Sequence, residues 1–133
     1  MSDETCKARW RPYKNSRVSD IRKLLKSYYD GEEEHEELGS VFDYGLEFTY
    51  TRGNRDHYGY WCFLISWGGP SEEFRFYADR EYRVYKIEFA FMDWFDCHSR
   101  KLYGNDHKVL EEFWELLVDI ESARIAYEKE MDY

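Results

Sequence analysis

The residues of this chain whose types and spacing suggest chemistry are paired carboxylates. Asp93 and Asp96 flank Trp94 and Phe95, and Glu72 and Glu73 follow Gly68-Gly69-Pro70-Ser71. A glycosidase needs two carboxyls facing each other across a cleft, one of them with a raised pKa. Spacing alone supplies no such facing, and the same residues serve equally well as strand ends and turns, with Asp96 capping a turn. Cys97 and His98 are the nearest thing to a metal pair, but neighbours in sequence point in different directions and need two further ligands, for which Cys62, His57 and His107 are the loose candidates. Gly68-Gly69-Pro70-Ser71 is no phosphate cradle, because no Gly-Lys-Ser/Thr follows and the next segment alternates like a strand. Neither a dinucleotide fingerprint nor a Gly-x-Ser-x-Gly elbow is present. The expectation is a chain with no catalytic residue, no metal and no cofactor.

Charge is the stronger signal. Residues 1–27 carry eight Lys/Arg against three Asp/Glu, and residues 28–50 carry eight Asp/Glu with no Lys or Arg. Residues 51–108 balance at nine against nine, and the last twenty-five carry eight acids against two bases. Blocked acid gives a folded domain a negative field, which fits a basic partner surface, above all one that normally holds DNA or RNA. Duplex DNA carries one negative charge per ~1.7 Å of axis, and carboxylates four apart on a helix recur about every 6 Å. Glu111, Glu115 and Asp119, with Glu112 beside them, form one such row; Glu32, Glu33, Glu34, Glu36, Glu37, Asp43 and Glu47 supply a second patch. The competing reading is an ordinary solvated surface that keeps the chain in solution. A basic N-terminal arm folding back on the acidic loop would neutralise part of the field.

At 133 residues the chain reads as a single domain, 1–133, large enough for a core without staples. One residue in five is Phe, Trp or Tyr, which argues against disorder. Three widely spaced cysteines suggest reduced thiols and a cytoplasmic setting. No apolar run is long enough for a leader or a membrane span, and the acidity argues against direct binding to nucleic acid or anionic lipid. Monomer and homodimer both remain open.

Periodicity places the candidates on elements. Residues 1–14 read as a basic tail or strap. Val18, Ile21, Leu25 and Tyr28 recur at helical spacing, so a helix capped by Asn15 or Ser19 runs to Asp30. Residues 31–40 are a self-repelling acidic loop. From Val41 the period is two, with Phe42, Tyr44, Leu46, Phe48 and Tyr50 on one face of a strand. Tyr58–Trp67 is apolar on both sides and reads as a central strand covered twice. Glu72–Ala78 and Arg83–Phe91 complete four strands, with Tyr85 facing inward in the last. A polar connection then leads through Gly104 to one long helix over 107–128, capped by Asn105 or Asp106. The predicted fold is α+β: a four-stranded antiparallel meander sheet with an N-terminal helix and a long C-terminal helix packed on it. Trp94 falls in a turn, where an exposed Trp is a favoured anchor for a protein partner.

Two segments carry a resemblance. Ser66-Trp67-Gly68-Gly69-Pro70-Ser71-Glu72-Glu73-Phe74-Arg75-Phe76-Tyr77 and Phe91-Met92-Asp93-Trp94-Phe95-Asp96 resemble a group of small proteins encoded on bacterial plasmids and phages. Such elements carry anti-restriction and anti-CRISPR proteins, several of them acidic. The resemblance covers the middle third of the chain and transfers no catalytic residue. It implies an inhibitor of host defence, and the charge pattern, which lies outside the two segments, makes the expectation a non-catalytic inhibitor that blocks the DNA-binding surface of a CRISPR effector or restriction enzyme; the alternative is an immunity protein or antitoxin that neutralises a basic nuclease toxin. A small hydrolase using Asp93 and Asp96 is the third class.

Overall fold

Helical spacing of buried residues starts earlier than the sequence suggested. In the computed structural model, which describes residues 5–132, Cys6, Trp10, Lys14, Val18, Ile21 and Leu25 form one buried stripe along α1 (Cys6–Tyr29). Thr5 caps it by accepting the Ala8 N–H. The predicted tail is therefore helix from Cys6, and its first four residues lie outside the described residues. Pro12 removes one helical hydrogen bond. Tertiary anchoring outweighs that loss: the Trp10 indole N–H donates to the Phe89 carbonyl at 2.7 Å, and the Tyr13 ring lies 4.5 Å from that of Phe91. Asn15 and Ser19 sit inside the helix and do not cap it.

After the acidic loop come β1 (Glu47–Thr51), β2 (Tyr60–Ser66), β3 (Ser71–Ala78), β4 (Val84–Asp93) and β5 (Asp96–Lys101), then α2 (Gly104–Asp119) and α3 (Ser122–Met131). The fold is α+β, a five-stranded antiparallel meander in the order β1-β2-β3-β4-β5 with the helices packed on it. The fifth strand, missed in the sequence, reads Asp-Cys-His-Ser-Arg-Lys. It is an edge strand without the apolar alternation that marks a half-buried one. β1 starts at Glu47 and not at Val41. The Ser40 hydroxyl accepts the Phe42 N–H and folds residues 41–46 into a turn, so Val41 is buried while Phe42 and Leu46 face solvent. Tyr85 is exposed, contrary to its place in the alternation. The single long C-terminal helix is two, because Glu121 adopts a left-handed φ of +67°. That break swings α3 onto β1, where the Tyr127 and Tyr50 rings meet at 4.8 Å.

All three helices cover one face of the sheet. Phe113 packs on Phe63, Trp114 on Phe76 and Tyr127 on Trp61. Phe74, Phe76, Ile87, Phe89 and Phe91 are wholly buried between the layers. β2 is thus covered once, not twice. Its other face is closed by the sheet's own polar side chains, with Arg75 on Glu73 at 2.7 Å and the Tyr77 hydroxyl donating to Glu88 at 2.9 Å.

Candidate functional surface: paired and unpaired carboxylates

The carboxylates that invited a catalytic reading are engaged in holding the fold. Glu72 and Glu73 point to opposite faces of β3. Glu72 is 2 % exposed and takes two hydrogen bonds from the Arg17 guanidinium, at 2.8 and 2.7 Å, and one from the Ser66 hydroxyl at 2.9 Å. Arg17 also donates to the Tyr44 hydroxyl, which in turn donates to Asp20 at 2.6 Å. Burial, reinforced by the bond to Asp20, pushes the Tyr44 phenol above its ordinary pKa. Glu73 is held by Arg75 on the other side of the sheet.

Asp93 and Asp96 pair across the β4–β5 hairpin and pin the first turn of α1 to it. Arg9 reaches Asp93 at 2.6 Å, and the Cys6 backbone N–H donates to Asp96 at 2.7 Å. That N–H bond holds the Asp96 carboxyl below the usual carboxylate range. Cys97 and His98 point to opposite sides of β5, and no group of three or more His, Cys, Asp or Glu among the described residues is placed to hold a metal. Burial, with Glu73 nearby, drives the Cys62 thiol well above its ordinary pKa, so it is not an activated nucleophile. In the Gly68–Ser71 turn the Gly68 N–H is already spent on the Ser71 hydroxyl.

The two acidic blocks behave differently. Glu33, Glu34, Glu36, Glu37, Asp43 and Glu47 are exposed, as are Glu112, Glu115 and Asp119 on α2. None of these nine makes an ion pair with another described residue. Glu32 accepts the Ser27 hydroxyl at 2.9 Å, and Glu111 lies 3.8 Å from His107. The α2 block reaches the end of α1 at Tyr29, the last residue of that helix. Its phenol is pushed above the ordinary value by burial first and then by the charges of Asp119, Glu112 and Glu115. On its other flank Tyr28 packs edge-on against Phe42, at the end of the acidic loop. Sequence reasoning missed Tyr29 as the junction, because α1 and α2 are far apart in the chain and no local pattern announces that they touch.

Some neutralisation is built in. A cavity of ≈350 Å³ behind the loop is lined by Lys23 and Lys26 together with Glu32, Glu34 and Glu36, and Lys26 pairs with Asp30 at 2.7 Å. The cations beside the loop therefore come from the last turns of α1 and not from a folded-back arm. Trp94 is not part of this surface. It sits at the β4–β5 tip, 91 % exposed with a left-handed φ of +58°, next to the Asp93 that holds Arg9. Arg9 and Tyr29 are twenty residues apart on one helix, which is about 30 Å, so Trp94 and the acids occupy opposite ends of α1.

No family model matches the chain, and neither a curated protein nor a solved structure is significantly similar to it. Among the described residues no helix is long and apolar enough to cross a membrane.

Proposed function

We propose that this chain is a binding protein without catalysis of its own, which sets its acidic end against the basic, nucleic-acid-binding surface of another protein in the bacterial cytoplasm. The observation that carries the reading is the set of nine exposed carboxylates without an ion pair among the described residues, three of which, on α2, act together on Tyr29 at the end of α1. The nine sit on the loop between α1 and β1, at the start of β1 and on α2, a helix fixed to the sheet by buried aromatics. Like charges gathered on a rigid body repel one another and add nothing to folding, whereas they steer and orient a cationic partner. Phosphate-like spacing along α2 favours a surface built for nucleic acid over a merely basic one. The resemblance of residues 66–77 and 91–96 to plasmid and phage proteins favours a defence complex, a CRISPR effector or a restriction enzyme, as that partner.

The test is capture and competition. The immobilised protein is exposed to a bacterial lysate, and the retained proteins are challenged with duplex DNA. The reading expects retained nucleic-acid-binding proteins that DNA displaces and whose own DNA binding falls when this chain is added. Retained proteins that bind DNA equally well with and without it would remove the reading.

A further inference from the structure

Next to the unpaired carboxylates lies an apolar groove that electrostatic steering does not use. The turn 41–46 and the start of β1 form one wall, the end of α2 the other, and Phe63 and Phe113 lie at its base. Gly45 makes the close approach possible, since a Cβ there would run into the Phe63 ring. Phe42, Leu46 and Ile120 stand on its lips, 54 %, 61 % and 36 % exposed. Soluble monomers rarely leave large apolar side chains grouped in the open without use for them. The groove holds ≈260 Å³, below the roughly 300–1,000 Å³ of small-molecule sites. That volume suits one or two anchoring side chains better than a cofactor.

The rim fixes the sign of what enters. Glu47 lines the groove, Asp43 and Asp119 adjoin Phe42 and Ile120, and no lysine or arginine is among the lining residues. Resting on the function proposed above, we infer that the groove receives a basic amphipathic helix of the partner protein. Leu, Ile, Phe or Met on one face of that helix enters beside Phe42, Leu46 and Ile120, and flanking Lys or Arg meets Asp43, Glu47 and Asp119. Helix-in-groove recognition places apolar anchors three or four residues apart with cations beside them. The apolar contact supplies a part of the affinity that salt does not screen.

Two synthetic peptides of equal length and net charge test this, one an amphipathic Lys/Leu helix and the other with every Leu replaced by Ser. The wild-type chain binds the Lys/Leu peptide at least about tenfold more tightly, since burying even one apolar anchor is worth that much. Leu46→Ser and Ile120→Ser each erode the preference, and amide shift changes centre on Phe42, Leu46 and Ile120. Both variants change side chains that reach solvent, and unchanged thermal unfolding confirms that they fold. Equal affinity for the two peptides, a preference untouched by Leu46→Ser, or shift changes centred on Trp94 and Phe95 would overturn the inference. So would self-association of the wild-type chain that Leu46→Ser abolishes, because a second copy would then be the occupant. The Lys/Ser peptide separates this failure from that of the broader reading. If Glu112→Lys/Glu115→Lys/Asp119→Lys loses it while groove variants change nothing, only the groove fails. If that triple variant binds both peptides as well as wild type, the acidic surface fails with it.

Discussion

Glu72, Asp93 and Asp96, which face the N-terminal half of α1, and Glu112, Glu115 and Asp119, which surround its C-terminus, are the same chemical group in opposite situations. Each of the first three has a cation or a backbone N–H within 2.8 Å. The second three have no ion pair among the described residues, although Arg22 and Lys26 lie in the cleft beside Glu112. A partnered carboxylate stabilises by satisfying what it faces, and where it is buried, as at Glu72, loss of its partner strands a charge. An exposed, unpartnered one beside others of its kind contributes nothing to folding and is available to another molecule. The contrast separates residues that hold this fold from residues that project a field, and it predicts that mutation will affect the two sets in different measurements.

The largest expected loss of stability comes from Arg17→Ala. It leaves Glu72, 2 % exposed, as a buried charge without its guanidinium, and should cost about 3 kcal/mol or more in urea unfolding. A cost near zero would mean that the buried network does not hold the fold. Gly45→Ala drives a methyl group into the Phe63 ring and should cost about 1–3 kcal/mol while also narrowing the groove. Asp96→Ala releases the first turn of α1 and should lower the unfolding midpoint by less than either. The pH dependence has a definite sign. The folded-state pKa of Asp96 is depressed, so its contribution is present above the ordinary carboxylate value of ~3.9 and is lost as pH falls through the lower, folded value. The wild-type chain should lose this increment on acidification and Asp96→Ala should not.

The smallest effect on stability belongs to the acidic end. Glu112→Lys/Glu115→Lys/Asp119→Lys should change unfolding by no more than about 0.5 kcal/mol per site, and relief of repulsion can make the sum favourable. The phenol of Tyr29, raised by burial and then by these three charges, should titrate lower in the triple variant when followed by ultraviolet absorbance. An unchanged Tyr29 titration would show that α2 and the end of α1 do not share a field.

What the sequence made legible follows from the range of each interaction. The α+β class, the antiparallel order and the core positions Phe74, Phe76, Phe89 and Phe91 came from local alternation, which the pleat enforces. The first turns of α1 were hidden because Pro12 and the surrounding cations argue locally for a tail. Long-range contacts show otherwise: Trp10 to the Phe89 carbonyl, Arg9 to Asp93 and the Cys6 N–H to Asp96. β5 was hidden because an edge strand needs no apolar face, and the break at Glu121 because no Gly or Pro marks it. At the candidate surface, charge blocks were countable from the first residue to the last. Whether each carboxylate has a partner was not, since Arg17 and Glu72 lie fifty-five residues apart. Trp94 was grouped with the acids on exposure alone, and the structure places it at the other end of the helix.

The most direct measurement is the association rate of this chain with its captured partner as ionic strength rises, for the wild type and for Glu112→Lys/Glu115→Lys/Asp119→Lys. If unpaired carboxylates steer the encounter, the wild-type rate falls steeply with salt, and the triple variant starts lower with a much flatter dependence. Equal rates for the two proteins, unmoved from low to high salt, would contradict the account.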